Sequence, residues 1–515
     1  MILRKSDTFK SIFELLYLIS TKLKLYGFGF KCLRVFVVKN NSSNRRNVEY
    51  RELFIRSNIN NNNMKRISFY TLGCKLNQAE TAILAEQFEQ GGYQLVPFED
   101  TVDICVINTC TVTAKSDYRC RQMIRKAKKI SPSAKIAVVG CYAQLSPEKI
   151  QTIDGVDFIL GSDKKFDLLE IIDENNKGDQ PLFVPSTNKS FLSPGPGNFW
   201  DHTRAFLKIQ DGCDSFCSYC TVPLARGRSR SDSLDHIVKS AKSLVQRGHQ
   251  EVVLTGVHIG RYGKDLNPSK KLLDVLKELE SIPDLKRIRL SSLEPLEIDE
   301  DLLRWIAESE KICHHFHIPL QSGDNEILKK MNRNYSVKTY KEVTDRVKET
   351  IPDCGLGTDI IVGFPGETEQ QFQNTFRLVE QLPFTYLHVF SFSPRTGTEA
   401  ARLSDRVNPK EIKRRSEILR TLGWTKKKHF YNSLVGQKLK VLWEGKKHSD
   451  WMFGFSSNYA RVRTKADPEF MNKICSVEIV GAENNCIQGN IIKYRNECQQ
   501  FTERALNGRN RFLKK

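Results

Sequence analysis

The feature that most constrains this chain is a short loop with three cysteines at fixed spacing. Three residues separate Cys213 from Cys217, and two separate Cys217 from Cys220. Cysteine thiolates are the usual ligands of iron–sulfur clusters, and three of them can hold three irons of a [4Fe–4S] cube. No fourth cysteine lies nearby in the sequence. The spacing therefore leaves one iron open, as in a catalytic rather than a structural metal site.

Other uses of these cysteines fit the spacing less well. A structural zinc site needs four ligands, commonly in two pairs, and the sequence has no second pair nearby. A disulfide leaves one thiol unpaired and needs an oxidising compartment, whereas the 14 cysteines are dispersed over a long chain. A zinc site and a purely electron-transferring cluster remain the alternatives.

The loop resembles the cysteine motif of the radical S-adenosylmethionine (SAM) superfamily, in which an aromatic residue, here Tyr219, precedes the last cysteine. The resemblance implies a [4Fe–4S] cluster whose open iron binds SAM through its amino and carboxylate groups. Tyr219 is accordingly grouped with the three cysteines as a cofactor-binding residue.

Length and charge set the broad class of the protein. A chain of 515 residues is too long for one core and predicts about three or four domains. The net charge of +20 indicates a polyanionic partner, most simply a nucleic acid. No run of about 18 apolar residues occurs, so no membrane span is expected.

Composition divides the chain into six segments. The first is interpreted as a poorly ordered, asparagine-rich extension or as sequence upstream of a true start at Met64, with a basic RNA-binding arm as the alternative. The predicted segments are 1–63, the extension; 64–176, an α/β domain; 177–200, a linker; 201–431, a catalytic core; 432–498, a small barrel; and 499–515, a basic tail.

The α/β domain alternates between strand and helix patterns, which predicts a doubly wound parallel sheet. Cys74, Cys110 and Cys141 each follow a predicted strand. Because ligands collect at the carboxyl ends of such strands, we expect these cysteines to converge and to hold a second cluster with an open iron. Cys105, inside a strand, and Cys120, inside a helix, are interpreted as packing residues.

The catalytic core contains six strand patterns separated by helical patterns. This predicts a partial, open (βα)6 relative of the (βα)8 barrel, with its active site at the C-terminal ends of the strands. Glu294, Gln321 and Asp359 lie in polar motifs near those ends. They are candidates for binding the hydroxyl or ammonium groups of SAM, and hydrogen bonding at the barrel mouth is the alternative.

The small barrel is predicted from short strand patterns joined by turns, an architecture that suits oligonucleotide binding. Lys440, Arg461 and Arg463 are interleaved with aromatic residues such as Trp443. Charge and stacking surfaces together make these residues candidate RNA contacts. An ordinary solvated basic face over core aromatics is the alternative.

The order of these parts resembles the radical SAM methylthiotransferases, which join an N-terminal methylthiotransferase domain, a radical SAM core and a C-terminal TRAM barrel. The resemblance covers essentially all of 65–498. Two segments are similar to the branch acting on N6-threonylcarbamoyladenosine (t6A) in tRNA: Thr71–Thr81, TLGCKLNQAET, and Asn108–Thr113, NTCTVT. The isopentenyladenosine branch usually has Gln-Met-Asn after its first cysteine, and the ribosomal-protein branch has Pro-Lys-Asn.

Membership of the t6A branch implies methylthio transfer to C2 of t6A at tRNA position 37, using two SAM molecules and two [4Fe–4S] clusters. The core cysteines would serve reductive SAM cleavage, and the N-terminal cysteines would hold the cluster that presents sulfur. The resemblance also implies an electron-donor protein such as a flavodoxin or ferredoxin, a monomer without a membrane anchor, and a cytoplasmic location. The alternatives are the isopentenyladenosine branch and a non-catalytic RNA-binding iron–sulfur redox sensor.

Overall fold

The computed structural model describes residues 64–174, 181–187, 191, 193–197, 203–483 and 485–492, together with two strands of the N-terminal extension. Those strands, β1 (Leu33–Lys39) and β2 (Glu49–Ile55), pair antiparallel. They lie in the segment for which poor order was expected. The rest of that extension and the basic tail fall outside the described residues. The chain divides into two compact units, Met1–Met64 and Lys65–Lys515.

The second unit begins with a six-stranded parallel sheet in the order β4-β3-β5-β6-β7-β8. Its elements are β3 (Arg66–Thr71), α1 (Lys75–Gln90), β4 (Gln94–Leu95), β5 (Ile104–Thr109), α2 (Ala114–Ile130), β6 (Lys135–Gly140), α3 (Cys141–Leu145), α4 (Pro147–Gln151), β7 (Phe158–Leu160), a 3-10 turn (Lys164–Asp167), α5 (Leu168–Glu174) and β8 (Leu182–Val184).

The sheet is doubly wound because its strands bury both faces. In β5 every side chain is buried, and successive residues enter different cores. Ile104 and Val106 pack with α1 and α5, whereas Cys105 and Ile107 pack with α2, α3 and α4. The doubly wound sheet that the alternating strand and helix patterns predicted is therefore confirmed.

Part of the predicted linker is a strand of this sheet. Its residues Leu182–Val184 form β8, which pairs parallel with β7 over Phe158–Leu160. The proline- and glycine-rich composition of 177–200 indicated a linker, but three residues with paired backbone groups are enough to extend the sheet by one edge strand.

The core is an arc of six parallel strands with helices outside. One sheet has the order β13-β12-β9 and the other β14-β15-β16, and a parallel bridge from Ile288 to Ile312 joins them. Its elements are β9 (Arg204–Lys208), β10 (Gln210–Asp211), α6 (Val222–Arg226), β11 (Arg230–Ser231), α7 (Leu234–Gln246), β12 (Glu251–Thr255), α8 (Leu272–Glu280), β13 (Arg287–Leu290), α9 (Glu300–Glu308), β14 (His315–His317), α10 (Asn325–Lys330), α11 (Val337–Thr350), β15 (Gly355–Val362), α12 (Glu369–Gln381), β16 (Tyr386–Ser391) and α13 (Pro409–Ser433), with 3-10 turns at Ile259–Arg261, Pro295–Glu297 and Glu399–Ala401. The predicted (βα)6 architecture is confirmed.

Five strands close a small C-terminal barrel in the order β17-β18-β19-β21-β20. They are β17 (Lys438–His448), β18 (Trp451–Ser456), β19 (Arg461–Lys465), β20 (Ile474–Ala482) and β21 (Ile487–Ile491), with a 3-10 turn at Pro468–Phe470. The side chain of Trp443 is fully buried in the barrel core. The expectation that Trp443 offers a stacking surface is therefore wrong, because closing the barrel places it inside.

Two buried arginines dock this barrel on the core. Arg287 donates to the carbonyl oxygens of Phe455 and Lys440, both at 3.0 Å. Arg289 donates to the carbonyls of Ser457 and Ser456, also at 3.0 Å.

No helix in the described part of the chain has both the length and the apolar character needed to cross a bilayer.

Candidate cluster sites and RNA groove

The core cysteine loop is fixed at its start by a fully buried glutamine, Gln210. Its side-chain nitrogen donates to the carbonyl of Gly212 at 2.7 Å, and its oxygen accepts from the backbone amides of Val257 and His258 at 2.9 and 2.8 Å. These bonds join the loop after β9 to the loop after β12. The side-chain amide therefore gives the cysteine loop a defined position at the strand ends.

Hydrogen-bond donors surround the three thiols of this loop. Cys213 Sγ lies 3.4 Å from the Ser215 amide and 3.5 Å from His258 Nδ1. Cys220 Sγ accepts from the Val222 amide at 3.4 Å. Donors of this kind stabilise thiolates, the form that binds metal. They outweigh burial at Cys213, whose pKa is lowered.

Positive charge also faces the loop. Arg333 Nη1 lies 3.2 Å from Cys217 Sγ, and the same guanidinium forms an ion pair with Glu294. Burial opposes ionisation of His258, but Cys213 and Glu297 raise its pKa to about 9. Both cations favour the thiolate form of the cysteine that they contact, but burial outweighs Arg333 and raises the pKa of Cys217.

The four candidate cofactor contacts differ in their surroundings. Tyr219 packs against an apolar cluster that includes Met331 and Phe364, and Glu294 is held by Arg333. Gln321 adopts the left-handed backbone conformation, with φ of 68°, which is uncommon outside glycine and is often found at functional sites.

Asp359 lies in a cluster with two histidines. Its Oδ1 is 2.9 Å from His317 Nε2 and 3.0 Å from His388 Nδ1. One ligand atom from each of these residues lies within 4.8 Å of the others, so the group has the composition of a two-histidine, one-carboxylate metal site. Hydrogen bonds from both rings to the same carboxylate oxygen account for the arrangement without an ion.

The N-terminal cysteines lie where the strand-end argument placed them. Cys74 precedes α1, Cys110 follows β5, and Cys141 is the first residue of α3. Burial, Cys141 and Cys74 together raise the pKa of the Cys110 thiol to about 12, so the three sulfurs are close enough to oppose one another's ionisation. A bound cation would relieve that repulsion, and the donor set fits a cluster with three thiolate ligands.

Two glycines make this approach possible. Gly73 has φ of 107°, and a Cβ there would lie 2.6 Å from Cys110 Cβ. Gly140 has φ of 97°, and a Cβ there would lie 2.6 Å from Asn108 Oδ1. The left-handed backbone and the lack of space both require glycine beside the cysteines.

A buried ion network, which no sequence motif predicted, lies between the two cysteine sites. Glu80, in α1, accepts from Lys165, from Lys208 at 3.0 Å and from Arg226 at 2.9 Å. Lys208 and Arg226 also pair with Asp211, which directly precedes the core cysteine loop, at 2.8 and 3.0 Å. Charges from the N-terminal domain and from the core therefore meet in one cluster that connects the two loops.

A groove lies between the core and the C-terminal barrel. It has a volume of about 490 Å³ and is lined on one side by His388 of β16 and Trp424 of α13, and on the other by Phe455, Tyr459 and Arg461. Trp424 is 53% exposed and has Lys427 Nζ 5.1 Å from the centre of its ring, so the surface offers an indole for stacking together with a cation. Aromatic and basic side chains thus share one surface.

The predicted RNA residues fall on different parts of the barrel. Arg461 stacks over Phe453 at 4.7 Å, and Arg463 over Trp451 at 4.4 Å. Both arginines line a second cavity of about 590 Å³. Lys440 is exposed on β17 and is not among the described residues that line either space.

Comparisons with known proteins agree with this geometry. Residues 207–379 match the family described as "Radical SAM superfamily", and residues 66–161 match "Uncharacterized protein family UPF0004". The chain is 36% identical over 438 residues to the threonylcarbamoyladenosine tRNA methylthiotransferase MtaB of Bacillus subtilis (strain 168), with 84% of this chain and 97% of that protein covered. The chain belongs to the radical SAM methylthiotransferases.

Two further relatives of this methylthiotransferase span most of its length. MtaB of Aquifex aeolicus (strain VF5) is 40% identical over 382 residues, with 73% of this chain and 92% of that protein covered. A tRNA-2-methylthio-N(6)-dimethylallyladenosine synthase of Acetivibrio thermocellus is 32% identical over 457 residues, covering 86% and 95%. The predicted family and enzyme class are confirmed, and the cofactors of this family are SAM and [4Fe–4S] clusters.

Proposed function

We propose that this methylthiotransferase adds a methylthio group to C2 of t6A at position 37 of tRNA. The observation that supports this substrate most is the 36% and 40% identity to two MtaB proteins. Identity to a dimethylallyladenosine synthase is lower, at 32%. The residues after Cys74 also follow the t6A branch, with Lys75-Leu76-Asn77 in place of Gln-Met-Asn.

The three core cysteines would hold the cluster that binds SAM, and the three N-terminal cysteines would hold the second cluster. When bound, these groups supply the radical, the sulfur and the methyl group. The protein itself binds and orients its substrate and excludes water. The buried ions around Glu80 hold the two cysteine loops in fixed relation. We place contacts to SAM at Glu294, Gln321 and Asp359, of which Glu294 pairs with the arginine that also contacts Cys217.

We assign RNA binding to the groove and to the outer face of the C-terminal barrel. Exposed Trp424 and the arginines Arg461 and Arg463 offer stacking surfaces and charge for the anticodon stem-loop. We keep Lys440 as a separate phosphate contact on β17. An electron-donor protein such as a flavodoxin or ferredoxin, a monomeric state and a cytoplasmic location complete the proposal.

The test uses reconstituted enzyme, reductant, SAM and anticodon stem-loops that carry t6A, isopentenyladenosine or adenosine at position 37. We expect 5′-deoxyadenosine together with methylthiolated t6A, detected by mass spectrometry. Methylthiolation of the isopentenyladenosine loop instead would assign the chain to the other tRNA branch. Absence of SAM cleavage would favour the redox-sensor hypothesis.

A pair of cysteine variants controls this experiment. Cys217→Ala removes a ligand of the proposed SAM cluster and should abolish SAM cleavage while lowering iron content by about half, if each site holds one cube. Cys475→Ala removes a partly buried thiol of the C-terminal barrel and should leave both unchanged. SAM cleavage by the Cys217 variant would refute the ligand assignment.

A further inference from the structure

Cations from three parts of the fold meet around one tyrosine of the C-terminal barrel. Lys75 Nζ, from the first turn of α1, lies 5.8 Å from the centre of the Tyr459 ring, and the Arg289 guanidinium lies 5.0 Å from it. Arg204, the first residue of β9, stacks at 4.6 Å on Phe455, whose ring lies 4.9 Å from that of Tyr459. The sheet domain, the core and the barrel thus each contribute to one partly buried cluster.

Negative charge does not balance this cluster. Glu251 is its carboxylate, and it is engaged by Arg289 at 2.8 Å and by Arg287 at 3.3 Å. Within the described part of the chain, the Lys75 ammonium has no hydrogen-bond acceptor or carboxylate partner, and Arg204 has no carboxylate at ion-pair distance. Lys75 and Arg204 are both partly buried. Because a partly buried cation without a carboxylate partner is costly, the site favours an anion.

Two neighbouring groups respond to this positive charge. Burial raises the pKa of Tyr459, but Lys75, Arg204 and Arg289 outweigh it, and the net shift is downward. Burial, Arg289 and Lys75 all lower the pKa of His315 well below its ordinary range. The His315 ring lies 4.5 Å from that of Tyr459, so both groups sense the same field.

The cluster is reachable from the groove that we assign to RNA. Tyr459, Tyr386 and Phe455 line that groove, and Tyr459 is also the ring over which Lys75 lies. Lys75 directly follows Cys74, so their Cα atoms are about 3.8 Å apart. Lys75 thus joins the two sites: its backbone adjoins the N-terminal cysteine site, and its ammonium lies over Tyr459, which lines the groove.

We infer that Lys75, supported by Arg204, binds the carboxylate that the threonylcarbamoyl group carries on N6 of the substrate adenosine. This inference rests on the proposed function. N6 is a few bonds from C2, so an adenosine whose C2 faces the N-terminal cysteines brings that carboxylate to the same region. An isopentenyl group has no charge, and a site that desolvates a cation for an anionic partner rejects a neutral analogue.

The experiment compares three variants of the reconstituted enzyme on three stem-loops. The stem-loops carry t6A, the methyl ester of t6A, or adenosine at position 37, and both binding and kcat/KM are measured. Lys75→Gln should lose about 100-fold in kcat/KM and show weaker binding on the t6A loop only. Lys75→Arg should retain most of the preference for t6A over its ester.

The matched control is Lys65→Gln. Lys65 belongs to the same domain and also lies over a tyrosine ring, that of Tyr93 at 5.9 Å, but it is exposed. This variant should behave as wild type on every loop. Because Lys75 adjoins Cys74, iron content is determined for each variant, and the binding measurement does not depend on turnover.

Two results would overturn the inference. If Lys75→Gln weakens binding to all three loops equally and lowers the salt dependence by about one unit, the lysine contacts a backbone phosphate. If the variant keeps the wild-type preference for t6A over its ester, the carboxylate is bound elsewhere. Failure of the wild-type enzyme to modify the t6A loop would instead count against the proposed function.

Discussion

Cys105 and Cys110 are five residues apart, yet they lie in different environments. Cys105 points from β5 into an apolar core with Ile107 and Ile124. Cys110 lies just past the end of the strand, beside Gly73 and the other two N-terminal cysteines. The difference follows from the alternation of side chains along a strand and from the collection of ligands at strand ends.

The first prediction separates these two cysteines. Cys110→Ala should lose one cluster and stop methylthiolation while SAM cleavage to 5′-deoxyadenosine persists, because the core cysteines are untouched. Cys105→Ala should keep both clusters and cost about 1 kcal/mol of stability, because it removes only a small buried side chain. Iron analysis and product mass spectrometry on both variants give the answer. If Cys110→Ala keeps full activity, Cys110 is not a ligand of the second cluster.

At the residue scale, spacing and strand ends predicted the six cysteines but not the groups that act on them. His258 reaches Cys213 from 45 residues away, and Arg333 reaches Cys217 from 116 residues away. His258 ends a polar motif that follows a predicted strand, Thr255–His258, but no local pattern assigns it to Cys213, and none marks Arg333. Such contacts exist only once the loops after different strands have been brought together.

At the scale of elements, the first residue of β12 anchors the C-terminal barrel indirectly. Glu251 is fully buried and pairs with Arg287 and Arg289 of β13, the arginines that donate to carbonyls of the barrel. Burial opposes its ionisation, but Arg289 and Arg287 lower the pKa of Glu251 to about 2. The charged carboxylate thus orients the donors that hold the barrel.

This pairing predicts a pH dependence of stability. A glutamate in the unfolded chain has a pKa of about 4.3. The contribution of Glu251 is therefore fully present above that pH and is lost as the pH falls towards its folded pKa of about 2. Glu251→Gln should be less stable than wild type at pH 7, and the gap in unfolding free energy should narrow as the pH is lowered through this window.

The control for this experiment is Asp284→Asn, at a carboxylate that is 85% exposed. It should leave the pH profile unchanged. If the difference in unfolding free energy between wild type and Glu251→Gln stays constant from pH 7 to pH 3, the ionised form of Glu251 does not stabilise the folded protein.

The barrel strands β18 and β19 carry the prediction for RNA affinity. They place Arg463 over Trp451 and Arg461 over Phe453 on one outer surface. Replacing both arginines by glutamine should weaken tRNA binding and reduce the slope of log affinity against log salt by about two units. Adding Lys440→Gln measures the contribution of β17 separately.

The control variant removes two exposed lysines of α11, Lys338 and Lys341, and should leave the slope unchanged. Titrations at several salt concentrations provide the measurement. If the arginine variant keeps the wild-type slope, Arg461 and Arg463 belong to an ordinary solvated surface and do not contact RNA phosphates.

Most elements could be predicted from local patterns, and the exceptions have local causes. The bounds of β7, β12 and β13 agree with the sequence patterns over Phe158–Leu160, Glu251–Thr255 and Arg287–Leu290. Strand β18 was missed because Trp451–Ser456 mixes aromatic residues with a glycine in a region interpreted as a turn. Strand β8 was missed because prolines surround it.

At the scale of the whole molecule, the buried ions around Glu80 couple the two halves of the proposed site. Four cations and two carboxylates from the N-terminal domain and the core meet there, and Arg226 also donates to Asn77 Oδ1 at 2.8 Å. Asn77 in turn donates to the carbonyls of Leu72 and Thr109 beside the N-terminal cysteines. Hydrogen bonds therefore lead from one cysteine loop to the other.

Removing the central charge should destabilise the molecule. Glu80→Gln leaves buried lysine and arginine side chains short of a counter-charge, which typically costs about 3–5 kcal/mol. Glu89→Gln, at an exposed position of the same helix, should change stability by no more than about 0.5 kcal/mol. Chemical denaturation compares the two variants. If the two variants are equally stable, the ion network around Glu80 contributes little to the stability of the interface.

This network could not have been predicted from the sequence. Glu80 is 128 residues from Lys208 and 146 residues from Arg226. Its position within a helix of mixed character is typical of a solvated glutamate. Burial follows only from the packing of α1 against β9, the edge strand of the core, which is a property of the assembled chain.

The central claim is that this enzyme methylthiolates t6A, and nucleoside mass spectrometry of tRNA tests it most directly. Total tRNA is compared between cells that have the gene, cells that lack it, and deleted cells carrying the Cys217→Ala variant. The account predicts that 2-methylthio-t6A disappears without the gene and in the variant, while unmodified t6A accumulates. Loss of 2-methylthio-isopentenyladenosine with 2-methylthio-t6A retained would contradict it.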